Sequence, residues 1–138
     1  RGAARTGWFV NPATGEAARP HTEARFAWDE EFLYVGLYAA DRDLSSEDAV
    51  SVRLQAYGTR RPLVLRLTAG GTTSDVPGTR LAVDRDGTLD DPRDEDEEWT
   101  AEIAVSWSAL GRRPRAGGRV AAHFERPDGA RAAAVLSF

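Results

Sequence analysis

From Trp99 onward apolar and polar positions alternate, with Trp99, Ala101, Ile103 and Val105 on one face and Thr100, Glu102 and Ala104 on the other. That two-residue period belongs to a strand with one side buried. At Ser106-Trp107-Ser108-Ala109-Leu110-Gly111 the rhythm changes: a serine able to cap, a short apolar run and a glycine suited to a left-handed stop predict one short helical turn over 106–110.

The same alternation recurs along the chain. Residues 22–28 place Phe26 and Trp28 on one face, Asp29-Glu30-Glu31 turns the chain, and 32–40 alternates Leu33, Val35, Leu37 and Ala39 with Tyr34, Gly36 and Tyr38. Strands are also predicted over 48–56, 63–68, 72–76, 80–84, 120–125 and 132–138, separated by Gly, Pro and Asp turns. Residues 1–20 carry scattered glycines and prolines and read as mostly irregular, with Trp8-Phe9-Val10 docking and Trp8 as a packing anchor. Short strands at this spacing predict an all-β fold, a single β-sandwich domain of jelly-roll or immunoglobulin-like kind with about eight to ten antiparallel strands.

Composition narrows the chemistry. At 138 residues, 41% hydrophobic and 29% charged, the chain suits one domain, and no apolar run approaches the roughly 20 residues of a membrane helix. A net charge of −4 disfavours nucleic acid as the partner. All 18 basic residues are arginine, so lysine Schiff bases are excluded, and zero cysteines exclude thiol nucleophiles, disulfides and thiolate metal sites. No methionine and only two histidines leave little to ligate haem. The sequence also lacks a nucleophile elbow, a zincin helix motif, a P-loop and a dinucleotide fingerprint, so no enzyme activity is expected. Opening at Arg1, without an initiator methionine or signal peptide, it reads as a piece of a longer protein.

Three stretches together carry a resemblance. Trp28-Asp29-Glu30-Glu31-Phe32-Leu33-Tyr34-Val35, then Gly87-Thr88-Leu89-Asp90-Asp91 ahead of Trp99-Thr100-Ala101-Glu102-Ile103-Ala104-Val105-Ser106-Trp107-Ser108-Ala109-Leu110-Gly111, and finally His123-Phe124-Glu125-Arg126, occur in the order seen in carbohydrate-binding module family 9. The chain resembles that family, within the DOMON-like group of β-sandwiches, from Trp8 onward. The resemblance implies a non-catalytic module that grips sugar between aromatic side chains, sometimes beside calcium, in a secreted, periplasmic or surface protein. It also implies a glycan or polysaccharide partner, and further domains of the same surface protein as neighbours.

Sugar recognition needs flat apolar rings for pyranose C–H faces and planar polar groups for hydroxyls. Tyr34, Tyr38 and Tyr57 are candidate platforms, with Trp8 and Trp107 as further rings. Arg53, Gln55, Arg66, His123 and Glu125 are candidate hydroxyl readers, all expected to point away from the core; a solvated sheet face is the alternative. Glu102 and Arg126, which match positions of the family, are expected to form a charge-assisted pair bracing adjacent strands.

In 84–98 nine of fifteen residues are acidic; Asp84, Asp86, Asp90 and Asp91 could supply oxygens to a structural calcium, although acidic runs are commonly only solvated. Arg112, Arg113, Arg115 and Arg119 read as a solvated turn, since no stacking aromatic accompanies them in sequence. The alternative to a carbohydrate-binding module is a structural or protein-interaction sandwich that has lost the sugar cleft. The two are told apart by whether a cleft holds facing aromatic rings.

Overall fold

A computed structural model of the chain describes residues 2–41, 44, 48–71, 76–87, 89–91, 93, 97–113 and 115–138. Nine strands follow in order: β1 (Gly2–Trp8), β2 (Thr22–Trp28), β3 (Phe32–Ala40), β4 (Ala49–Ala56), β5 (Leu63–Thr68), β6 (Thr79–Asp86), β7 (Glu98–Ser106), β8 (Arg119–Glu125) and β9 (Arg131–Ser137). They form a five-stranded sheet in the order β1-β2-β3-β7-β6 and a four-stranded sheet in the order β5-β4-β8-β9. Every neighbouring pair is antiparallel.

The alternation read from the sequence decides which side chains meet between the sheets. Leu33, Val35 and Leu37 of β3 and Ile103 and Val105 of β7 are buried on one side, and Val50, Val52 and Leu54 of β4 and Phe124 of β8 on the other. Phe124 packs against the rings of Phe9 and Phe26, with centroids 5.8 and 5.7 Å away. Each such aliphatic or aromatic side chain contributes about 1.5–3 kcal/mol of transfer free energy when fully buried.

One expectation is corrected. Residues 2–8 are not irregular: they form edge strand β1, hydrogen-bonded along β2. The sequence GAARTGW is poor in β-branched and aromatic residues, so the strand is imposed by its neighbour rather than by its own propensity. The single turn expected after β7 is present, with Leu110 donating to the Ser106 carbonyl at 3.4 Å, and no helix is built on it. Ser106 Oγ accepts from Ala109 N at 3.2 Å, Ala109 and Gly111 donate to the carbonyls of Ser106 and Ser108 at 3.0 Å each, and Gly111 at φ 78° ends it. The expected strand over 72–76 falls largely outside the described residues. No helix among them is long and apolar enough to cross a membrane.

Candidate functional site

The outward residues of the five-stranded sheet lie in rows fixed by its register. Trp8, Glu23, Tyr38, Thr100 and Asp84 form one row across β1, β2, β3, β7 and β6. Arg25, Gly36, Glu102 and Ala82 form the next, and Ala27, Tyr34, Ala104 and Arg80 the one beyond. Because Gly36 and Ala82 bring almost no side chain, the middle row sinks and a groove of about 600 Å³ opens beside the first row. A Cβ added at Gly36 would meet nothing nearer than 3.9 Å, so the floor is open.

Trp8 and Tyr38 wall this groove, 46% and 36% exposed, with ring centroids 6.3 Å apart and planes at 56°. His21 stacks on Trp8 at 4.7 Å and 28°, which fixes the orientation of the indole. Between the two walls stands Glu23, only 7% exposed, with Arg25 Nη2 at 3.4 Å from its carboxylate. Asp84, Thr100 and Glu102 complete the polar lining. Partial burial, then the neighbouring Glu98 and Glu97 carboxylates, raise the pKa of Tyr38 above its ordinary value. Its phenol therefore stays protonated at neutral pH and can donate.

The candidate residues do not share one place. Tyr34 is on the same outer face but beyond the groove; its hydroxyl donates to Asp29 Oδ2 at 3.3 Å, and burial first, then Asp29, raise its pKa. Arg53, Gln55, Arg66, His123 and Glu125 lie on the outer face of the four-stranded sheet, the opposite side of the sandwich. There Arg53 faces His123 directly across β4 and β8, in a shallow trough of about 1070 Å³. The trough is the larger of the two, yet apart from His123 it offers no exposed aromatic ring, and Gln55 is committed to the carbonyl of Thr59 at 3.0 Å. Tyr57 stands at a third place, in the turn between β4 and β5.

Trp8 is not the packing anchor the sequence suggested. Phe9, completely buried, takes that part. Trp107 is the converse case: it is 2% exposed and its indole N–H donates to the carbonyl of Asp29 at 3.0 Å, so it is no sugar platform. Glu23, Arg25, Gly36 and Thr100 were not singled out from sequence. The opposite charges of Glu23 and Arg25, two apart on one strand face, were the available signal.

The expected Glu102–Arg126 pair does not form. Glu102 lies on the outer face of β7 in the five-stranded sheet, whereas Arg126 follows β8 of the other sheet. Arg126 instead donates to Asp128 Oδ2 at 2.8 Å, to Thr22 Oγ1 at 3.1 Å and to the carbonyl of Pro20. The four aspartates proposed for calcium do not make a common cage either. Asp91 is engaged by Arg93 through Nε and Nη2 at 2.9 and 3.0 Å, which lowers its pKa. Asp84 faces Thr100 in the groove and Asp86 faces Glu98. Asp90 turns the chain at φ 56°. Among the described residues no group of three or more His, Asp or Glu side chains is close enough to hold a metal ion.

No protein-family model matches the sequence, and no curated protein does. Solved structures do match in fold. A carbohydrate-binding module family 9 from Caldicellulosiruptor kristjanssonii, in complex with cellotriose, superposes with a TM-score of 0.60 at 16% identity, covering 94% of this chain and 71% of that one. The same organism's module in complex with glucose gives 0.60 at 15% identity, covering 95% and 74%. A proposed carbohydrate-binding protein from Bacteroides uniformis gives 0.62 at 12% identity, covering 96% and 77%. The chain therefore has the fold of these carbohydrate-binding β-sandwiches.

Proposed function

We propose that the chain is a non-catalytic glycan-binding module of a secreted or surface protein, holding a sugar in the groove across the outer face of the five-stranded sheet. The observation that carries this reading is the exposed Trp8–Tyr38 pair on the wall of a groove that Glu23, Arg25, Asp84 and Glu102 also line. Exposed rings offer flat apolar surface to the C–H face of a pyranose, while Glu23, Arg25, Asp84, Thr100 and Glu102 line the same groove with acceptors and donors for its hydroxyls. The structural neighbours in complex with cellotriose and glucose make neutral β-glucans the first probes.

The reading is binding rather than hydrolysis. Glycosidase chemistry needs one carboxyl kept protonated by an apolar, water-excluding pocket opposite a second. Asp84 and Glu102 both stand exposed on an open sheet, and the buried Glu23 carboxylate is paired with the Arg25 guanidinium rather than set in an apolar pocket. The competing reading, an interaction domain without a sugar cleft, has less support: the exposed apolar Val64 and Val135 sit singly on the edge strands β5 and β9 and form no patch.

Calorimetry with a panel of neutral oligosaccharides tests the proposal. Saturable binding of at least one, weakened roughly 30-fold or more by Trp8→Ala and without release of reducing ends, is the expected result. No binding across the panel with a folded protein overturns it.

A further inference from the structure

Six arginines gather at one end of the sandwich. Arg60 and Arg61 follow Tyr57 in the turn between β4 and β5, and Arg112, Arg113, Arg115 and Arg119 lead into β8. The two segments are tied together: Arg112 Nη1 donates to the carbonyl of Tyr57 at 2.9 Å, and Tyr57 N donates to the carbonyl of Arg119 at 2.9 Å. Gly58 makes this possible, because a Cβ there would come within 2.6 Å of the Arg112 guanidinium.

The result is a small pocket of about 190 Å³ with Tyr57, 48% exposed, beside Arg112, Arg113, Arg115 and Arg119. Arg113, Arg115 and Arg119 have no carboxylate partner among the described residues. In a chain of net charge −4 this is segregation of charge rather than average composition. The acidic stretch around Glu97 and Glu98 lies at the other end of β7, about 26 Å away for nine residues at a strand's rise, well beyond a Debye length at physiological salt. The carboxylates of Asp29, Glu30 and Glu31 share the arginine end but sit in the β2–β3 turn of the other sheet.

We propose that this end binds an anionic polysaccharide, one bearing uronate or sulfate groups, separately from the groove of the five-stranded sheet. Guanidinium forks match carboxylate and sulfate oxygens in a bidentate way, and Tyr57, more exposed than Phe138, the other ring lining the pocket, supplies a flat face for a sugar ring. The pocket is smaller than the roughly 300–1,000 Å³ that encloses a drug-sized ligand, so it suits one residue of a longer chain whose neighbours run over the flanking arginines. Nucleic acid fits less well, because Phe138 is engaged edge-on by Trp28 and Trp107, and Tyr57 alone offers no series of stacking platforms.

The test is calorimetry with a heparin hexasaccharide, an oligogalacturonate, a neutral cello-oligosaccharide and a single-stranded oligonucleotide, each at low and moderate salt. At least one anionic glycan is expected to bind, and to bind more weakly as salt rises. The double variant Arg113→Gln/Arg115→Gln is expected to weaken it about ten-fold or more while the melting temperature holds, since the loss is of charge-assisted contacts to ligand. Tyr57→Ala is expected to weaken it too, and Trp8→Ala to leave it unchanged. Absence of binding by both anionic glycans, equal binding by the double variant, or an oligonucleotide bound as tightly as the glycans overturns the proposal. The neutral sugar bears on the groove alone, so failure of either site is visible by itself.

Discussion

Trp8 and Tyr38 stand on strands that flank β2, and their rings, 6.3 Å apart, close over Glu23, a carboxylate left only 7% exposed. Stacking on such rings belongs to the few contacts that dominate a binding site, worth about 2 kcal/mol or more each. Trp8→Ala should therefore weaken sugar binding roughly 30-fold or more, and Tyr38→Ala should weaken it substantially. Trp8→Phe, which keeps a flat ring, should recover part of the affinity. Calorimetric titration of the three variants with the same oligosaccharide checks the order.

Why Trp8 points outward is a matter of register. Arg5 pairs with Arg25 and Trp8 with Glu23, so three steps on β1 oppose two on β2, and Gly7 at φ 73° carries the extra residue. A bulge of this kind moves every later side chain to the other face, delivering Trp8 to the groove and Phe9 to the core. Gly7→Ala meets no atom within 4 Å but forces a Cβ into left-handed backbone, at a cost of about 1–2 kcal/mol. Urea denaturation should show that loss. Deleting Gly7 should turn Trp8 inward, and acrylamide should then quench less of the fluorescence, since Trp99 and Trp107 are already 2% exposed.

That bulge also marks where sequence reading stopped. Eight of the strands were legible, most of them from alternation such as that of Leu33, Val35 and Leu37 against Tyr34, Gly36 and Tyr38, and β9 from the turn before it and its Leu136 and Phe138 end. β1 was not, because Gly, Ala, Arg and Thr carry no two-residue contrast and the pairing comes from β2. Tyr38 was legible as an outward ring, whereas Tyr34 and Tyr38 could not be separated from Arg53 and His123 on the far face. Which sheet a strand joins depends on β7 pairing between β3 and β6, and that is set by long-range packing. Nor could sequence bring Tyr57 to the arginines of the β8 lead, 55 residues away from it at Arg112.

Gly36 offers a test that separates the groove from the fold. It sits mid-strand in β3 with ordinary backbone and open space above it. A glycine in a strand interior costs about 0.5–1 kcal/mol in conformational freedom, and valine suits the pleat better. Gly36→Val should leave stability unchanged or raise it by about that amount, while filling the floor between Arg25 and Glu102 and abolishing sugar binding. Thermal melting and calorimetry on one sample decide the matter; retained affinity would place the ligand elsewhere.

The Tyr38 phenol gives a pH dependence of known sign. Its pKa in the folded state is raised, by partial burial first and then by Glu98 and Glu97, above the value of about 10 expected when unfolded. Folded protein thus keeps a proton that the unfolded chain has lost, so stability is full below about pH 10 and declines as pH climbs toward the folded pKa. Tyr34, raised by burial and Asp29, acts in the same direction. Glu98→Gln should bring the Tyr38 titration down and make the alkaline decline shallower. Tyrosinate absorbance followed against pH in both proteins, with Tyr34→Phe and Tyr57→Phe together to isolate Tyr38, measures it.

Arg126 and Glu102 should prove energetically independent. Arg126 is mostly buried, its side chain 14% exposed, and it ties the end of β8 to the Pro20 carbonyl and the buried Thr22 hydroxyl as well as to Asp128. Leaving the buried Thr22 hydroxyl without this charged donor costs about 1–3 kcal/mol, so Arg126→Ala should destabilise by that much. Asp128 adds little to this, being half exposed and screened by solvent. Glu102 stands exposed on the groove face of the other sheet, and Glu102→Ala should fall within about 0.5 kcal/mol of the parent protein while altering sugar affinity. In the double variant the two effects should add to within about 0.5 kcal/mol, as for sites that share no partner. A coupling well beyond that, measured by urea denaturation of all four proteins, would restore the ion pair that the separate sheets rule out.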